Sequence, residues 1–84
     1  QAHVNLGLSL ASQGRSRLGE AIVHFRAALE LDPENADTHN HLGTALMAGG
    51  DVNPAIVHFS RALEIRPGFP PAENNLRRAL ALRK

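Results

Sequence analysis

Five histidines, His3, His24, His39, His41 and His58, are the side chains here best suited to chemistry near neutral pH. Imidazole is a common metal ligand and general base, so spacing decides whether either role is open. A helical zinc site uses two histidines about four residues apart on one face. His39 and His41 lie two apart, on different sides of a helix, while His24 and His58 fall on the outward polar flank of their helices. No thiol is present and no carboxylates converge with the imidazoles, so no metal site is expected. Ser9, Ser12, Ser16 and Ser60 stand in no arrangement with His and Asp that would make a triad, and no glycine-rich phosphate loop opens a helix after a strand. The expectation is therefore a chain that is not an enzyme, with no catalytic residue and no cofactor.

The elements that carry these residues are small and helical. The 84 residues leave room for one core, which excludes a multi-domain chain. Apolar residues make up 43% of the sequence but include only three Phe, so the core falls to Leu, Ala, Ile and Val. With no cysteine, disulfides and thiolate chemistry are excluded together and the compartment is left open. No apolar run approaches the roughly 18 residues needed to cross a bilayer, so no membrane partner is expected. The chain opens on Gln1 rather than Met, which points to processing or to a piece of something longer.

A repeat organises the sequence. Ala21-Ile22-Val23-His24-Phe25 returns as Ala55-Ile56-Val57-His58-Phe59, and Ala28-Leu29-Glu30 and Pro33 return as Ala62-Leu63-Glu64 and Pro67, all at an offset of 34. His3, Asn5, Leu6-Gly7 and Leu10 align with His39, His41, Leu42-Gly43 and Leu46 at an offset of 36. The two extra residues are placed in the turn from Gly14 to Gly19, where an insertion should disturb no packed surface. A third, partial copy places Ala72, Asn74, Leu76 and Leu80 34 residues after Thr38, Asn40, Leu42 and Leu46. The domain thus divides into repeat 1 over residues 1–35, repeat 2 over 36–69 and a C-terminal capping helix over 70–84.

Within each unit the apolar residues fall three and four apart, as in Leu42, Ala45 and Leu46 or Ala55, Ile56, Phe59, Ala62 and Leu63. Gly49-Gly50-Asp51 breaks one helix, Asn53 reads as a cap with Pro54 at the first helical position, and Pro33 and Pro67 close the units. The spacing predicts five helices at about 2–13, 17–31, 36–48, 54–65 and 71–82. Gly7 and Gly43 lack a side chain where a second helix would cross, and Ala21 and Ala55 do the same from the other side. Arg77 stands in the glycine slot of the last copy, where no second helix follows, and reads with Arg78, Arg83 and Lys84 as part of a solvating cap.

These landmarks, Leu42-Gly43, Ala55, Phe59, Ala62 and Pro67 with Leu6-Gly7, Ala21, Phe25, Ala28 and Pro33, resemble the tetratricopeptide repeat over nearly the whole chain. The departures are His3 and His39 in the Trp slot, read as packing residues, and Leu10 and Leu46 in the Tyr slot. The resemblance implies an all-α, right-handed superhelical stack of antiparallel helix pairs, with a concave groove lined by the first helix of each pair. That groove would bind a protein or peptide segment through Asn5, Leu8, Ser12, Asp37, Asn40, His41, Thr44, Asn74, Asn75 and Arg78. Asn is a mediocre helix former, so its recurrence there asks for a reason. One is a ladder of amides holding a peptide backbone, similar to that in the repeats of the O-linked N-acetylglucosamine transferase, or in bacterial-type repeats; the other is a framework of bonds between neighbouring helices. A carboxylate clamp needs several basic groove residues, and only Arg78 qualifies.

Charge and apolar pattern bear on two other kinds of partner. Residues 43–84 hold six basic and three acidic residues, but no aromatics interleave with them, so no nucleic acid is expected. Val4 and Leu8 stand where the second repeat has Asn40 and Thr44, and an uncovered first helix of this kind offers a route to a homo-oligomer. A structural self-assembly module, with nothing in the groove, is the alternative reading.

Overall fold

The computed structural model describes residues 17–83. They form four helices, α1 over Leu18–Leu31, α2 over Ala36–Ala48, α3 over Val52–Ile65 and α4 over Pro70–Leu82, and the described residues contain no strand. The helix expected at about 2–13, with Asn5, Leu8 and Ser12, lies outside the described residues. So the count of five is four among those described.

Local chemistry sets the ends. The Asn35 side chain accepts a hydrogen bond from the Thr38 backbone N–H at 3.1 Å, satisfying one of the unpaired donors of the first turn of α2. At the other end Gly50 has φ +93°, and this left-handed residue lets the Asp51 N–H reach the Leu46 carbonyl at 2.8 Å. The expected Asn53 cap is displaced: α3 starts at Val52 with Asp51 before it, and Pro54 sits within the first turn, where its missing N–H breaks no helical bond. Likewise α4 starts one residue early, on Pro70 and Pro71.

Leu18, near the end of the stretch from Gly14 to Gly19, opens α1 as the expected helix over about 17–31 requires, and it is buried in the core. Two clusters make up that core. One joins Leu18, Phe25, Leu42, Leu46 and Phe59 with small alanines; the other gathers Ala36, Ala62, Phe69 and Ala72 where α4 begins. Arg66 stacks over the Phe69 ring at 4.7 Å, covering the second cluster.

The tightest contact is between α2 and α3. A Cβ on Gly43 would stand 2.6 Å from Phe59 Cε1 and 2.8 Å from Cδ1, so the buried ring occupies the space a side chain would need. Ala55, fully buried on α3, keeps the crossing close from the other side. This is the physical role expected of the glycine slot.

Candidate functional site

The first helices of successive repeats, α2 and α4, lie side by side and share a polar strip. Asn75 Nδ2 donates to Asn40 Oδ1 at 3.0 Å and approaches Thr44 Oγ1 at 3.4 Å, while the Thr44 hydroxyl donates to the Asn40 backbone carbonyl at 3.0 Å. Asn40 is buried, Asn75 is half-buried, and Asp37, Thr44, Asn74 and Arg78 are exposed. The Asn40 carboxamide oxygen is therefore engaged between helices. Asn75 Oδ1 and the side chains of Asn74 and Arg78 hydrogen-bond to no described residue and remain open to a ligand.

His41 sits at the edge of this strip and turns toward α1. Its ring stacks on Phe25 with centroids 6.0 Å apart. Burial lowers its pKa below the ordinary imidazole value, and the Asp37 carboxylate offsets part of that. The structure therefore brings Asn40, Thr44 and Asn75 into one cluster, leaves Asp37, Asn74 and Arg78 around it, and gives His41 a packing partner.

Sequence reasoning missed a second polar contact, on the opposite side of α2. His58 does not lie on an outward flank: it is half-buried and stacks on His39, with centroids 5.3 Å apart and planes 25° apart. The two Nδ1 atoms are 3.1 Å apart, and His39 Nε2 lies 2.9 Å from the Pro33 carbonyl oxygen. A carbonyl only accepts, so His39 Nε2 carries a hydrogen, and across the second contact one Nδ1–H donates to the other Nδ1. The contact holds one proton between two nitrogens and has no room for a second. Burial, then the neighbouring His39 and Arg26, push the His58 pKa down to about 4. The signal was in the repeat: His58 precedes Phe59, and Phe59 reaches under Gly43, one turn along α2 from His39.

Among the described residues, no group of three or more His, Cys, Asp or Glu side chains could hold a metal ion, and no helix is long and apolar enough to cross a membrane. Arg61 bridges Glu34 and Glu64, tying α3 to the α1–α2 turn at the exposed surface.

Known proteins agree with this architecture at the level of family. A family model described as TPR repeat matches residues 15–50, and one described as Tetratricopeptide repeat matches residues 36–69. No curated protein matches the chain. The two family models between them cover residues 15–69, which include α1, α2 and α3, and the chain belongs to the tetratricopeptide-repeat family.

Proposed function

We propose that this chain is a protein-interaction scaffold that holds an extended segment of another protein on the face shared by α2 and α4. The observation that carries this is the Asn40–Thr44–Asn75 cluster, which ties two neighbouring first helices together and leaves Asn75 Oδ1 with no hydrogen bond to a described residue. An amide held by its N–H groups is a preorganised acceptor for a peptide N–H, and such contacts do not depend on the peptide's side chains. Asn74 and Arg78 flank it with further polar groups, and Asp37 adds a carboxylate at the α2 end. In this reading the helix pairs continue as a right-handed superhelix, Asn5, Leu8 and Ser12 extend the groove, and the chain catalyses nothing.

Peptides selected from a random library against the whole chain provide the test. Binding should fall by tenfold or more, of order 1.4 kcal/mol, in the double variant Asn74→Ala, Arg78→Ala. It should persist in Val23→Ser, Val57→Ser, which alters exposed positions on the second helices. Selected peptides indifferent to the first pair would remove the α2–α4 face from consideration. A chain that binds no peptide and scatters light as a dimer would replace groove binding with self-assembly.

A further inference from the structure

The seam between the two second helices, α1 and α3, holds an open groove of about 370 Å³. Arg26, Leu29 and Glu30 of α1, His58 of α3 and the buried Leu42 of α2 line it, and none of them belongs to the α2–α4 strip. Every wall is a described helix with a described neighbour across the gap.

The repeat register separates what is framework here from what is particular to this seam. Leu29, Glu30 and Leu42 recur 34 residues on as Leu63, Glu64 and Leu76, but Arg26 gives way to Ser60. The two carboxylates also differ in their partners. Glu64 pairs with Arg61, three residues before it, at 3.2 Å, whereas the position three before Glu30 is Ala27. Arg26 stands four residues before Glu30, yet the two form no ion pair, and neither hydrogen-bonds to a described residue. A cation N-terminal to an anion is the weaker order for such a pair on a helix. The groove thus carries an unanswered guanidinium and an unanswered carboxylate one turn apart, over an apolar floor of Leu29 and Leu42. His58 adds an uncharged wall at neutral pH, its pKa being held down to about 4.

This lining selects its occupant. A Lys, Arg, Asp or Glu side chain would satisfy one of the two charges and oppose the other. The complement is a neutral group that accepts from the guanidinium and donates to the carboxylate, carried on an apolar body that covers the leucines. Trp only donates, Phe and Leu do neither, and Ser, Thr, Asn and Gln lack the apolar body. A histidine beside Glu30 would gain a proton and become a cation against Arg26. The phenol of tyrosine meets every condition. The chain contains no Tyr, so a second copy cannot supply one.

We propose that the α1–α3 groove seats a tyrosine side chain of a partner protein, with its ring on Leu29 and Leu42 and its hydroxyl between Arg26 and Glu30. Hydrogen bonds to ionised groups are the strong ones, so the site should discriminate against a ring that lacks the hydroxyl.

N-acetyl-tyrosinamide, its O-methyl ether and N-acetyl-phenylalaninamide, each titrated into the isotope-labelled whole chain and followed by NMR, test this. The tyrosine amide should shift the Leu29 methyl and His58 ring signals saturably and bind about tenfold more tightly than the phenylalanine amide. The ether, which accepts but cannot donate, should fall between them. Arg26→Met should bring the tyrosine amide close to the phenylalanine amide, and Glu30→Ala should make the tyrosine amide and its ether bind alike. Arg26 and Glu30 are exposed and form no ion pair among the described residues, so circular dichroism should show unchanged helicity in both variants. Absence of saturable shifts at Leu29 and His58, equal binding of the tyrosine and phenylalanine amides, or indifference to both substitutions overturns the proposal. So do shifts confined to Thr44, Asn74 and Asn75, which would place the ring on the α2–α4 face instead.

Discussion

Acid should loosen the α2–α3 pair, and the His39–His58 contact sets by how much. An imidazole in an unfolded chain takes its proton near pH 6.5, whereas burial, His39 and Arg26 hold His58 down to about 4 in the fold. Between those values the unfolded chain binds a proton that the folded one refuses. The contribution is therefore complete above pH 6.5, declines as pH falls through this window, and levels off below about pH 4. From pH 7 to pH 5 a shift of this size is worth about 1.8 kcal/mol, and because His58 is only half-buried, solvent screening reduces the expectation to about 1 kcal/mol. In a domain this small that corresponds to a fall in Tm of about 5 °C. Urea and thermal unfolding at pH 7, 6 and 5 would measure it, a range that lies mostly above carboxylate titration. His58→Gln removes the titrating group and should flatten most of the slope, leaving a remainder from His41, whose pKa burial also lowers. If His58→Gln and the wild type lose the same stability between pH 7 and pH 5, the proton accounting at this contact is refuted.

Three further substitutions have defined outcomes. Gly43→Ala would press a methyl into the Phe59 ring, and should cost about 1–3 kcal/mol by urea unfolding, since the ring is fully buried and has nowhere to move. Asn75→Ala leaves the buried Asn40 carboxamide without its partner on α4 and should cost about 1–2 kcal/mol, whereas Asn74→Ala, at an exposed site, should leave Tm unchanged. Arg61→Ala removes two exposed ion pairs, to Glu34 and Glu64, and should shift stability by less than about 1 kcal/mol, an effect that salt should mask.

The backbone was the more legible part of this molecule, because repetition doubles every local signal. The 3.6-residue spacing around Leu42, Ala45 and Leu46 places α2 over residues 36–48, where the structure has it. Ends set by competition were harder. Asn53 is a good cap in isolation, but the Gly49-Gly50 turn brings Asp51 to the N-cap first, and Val52 then packs against the core. The start of α1, by contrast, was legible, since the expected helix over about 17–31 begins at Leu18, which is buried in the core. Side-chain partners across helices were less legible. Whether Asn40 faces a ligand or a neighbouring helix depends on the distance from α2 to α4, which no pattern within one helix contains. His58 was misplaced for a related reason: its neighbours in sequence are Val57 and Phe59, but its environment is made by His39 and Arg26 from two other helices.

The Gly43–Phe59 interlock also has a mechanical consequence. A ring lying against bare backbone leaves no flexible side chain at the α2–α3 crossing to slide or splay, so those two helices should move as one stiff plate. The junction with α4 is built differently: its turn passes through Gly68 at φ +78°, and the Asn40–Asn75 bond and the Phe69 cluster, rather than a ring against bare backbone, hold it. Under load, relative motion would therefore concentrate between this plate and α4 rather than within the α2–α3 pair.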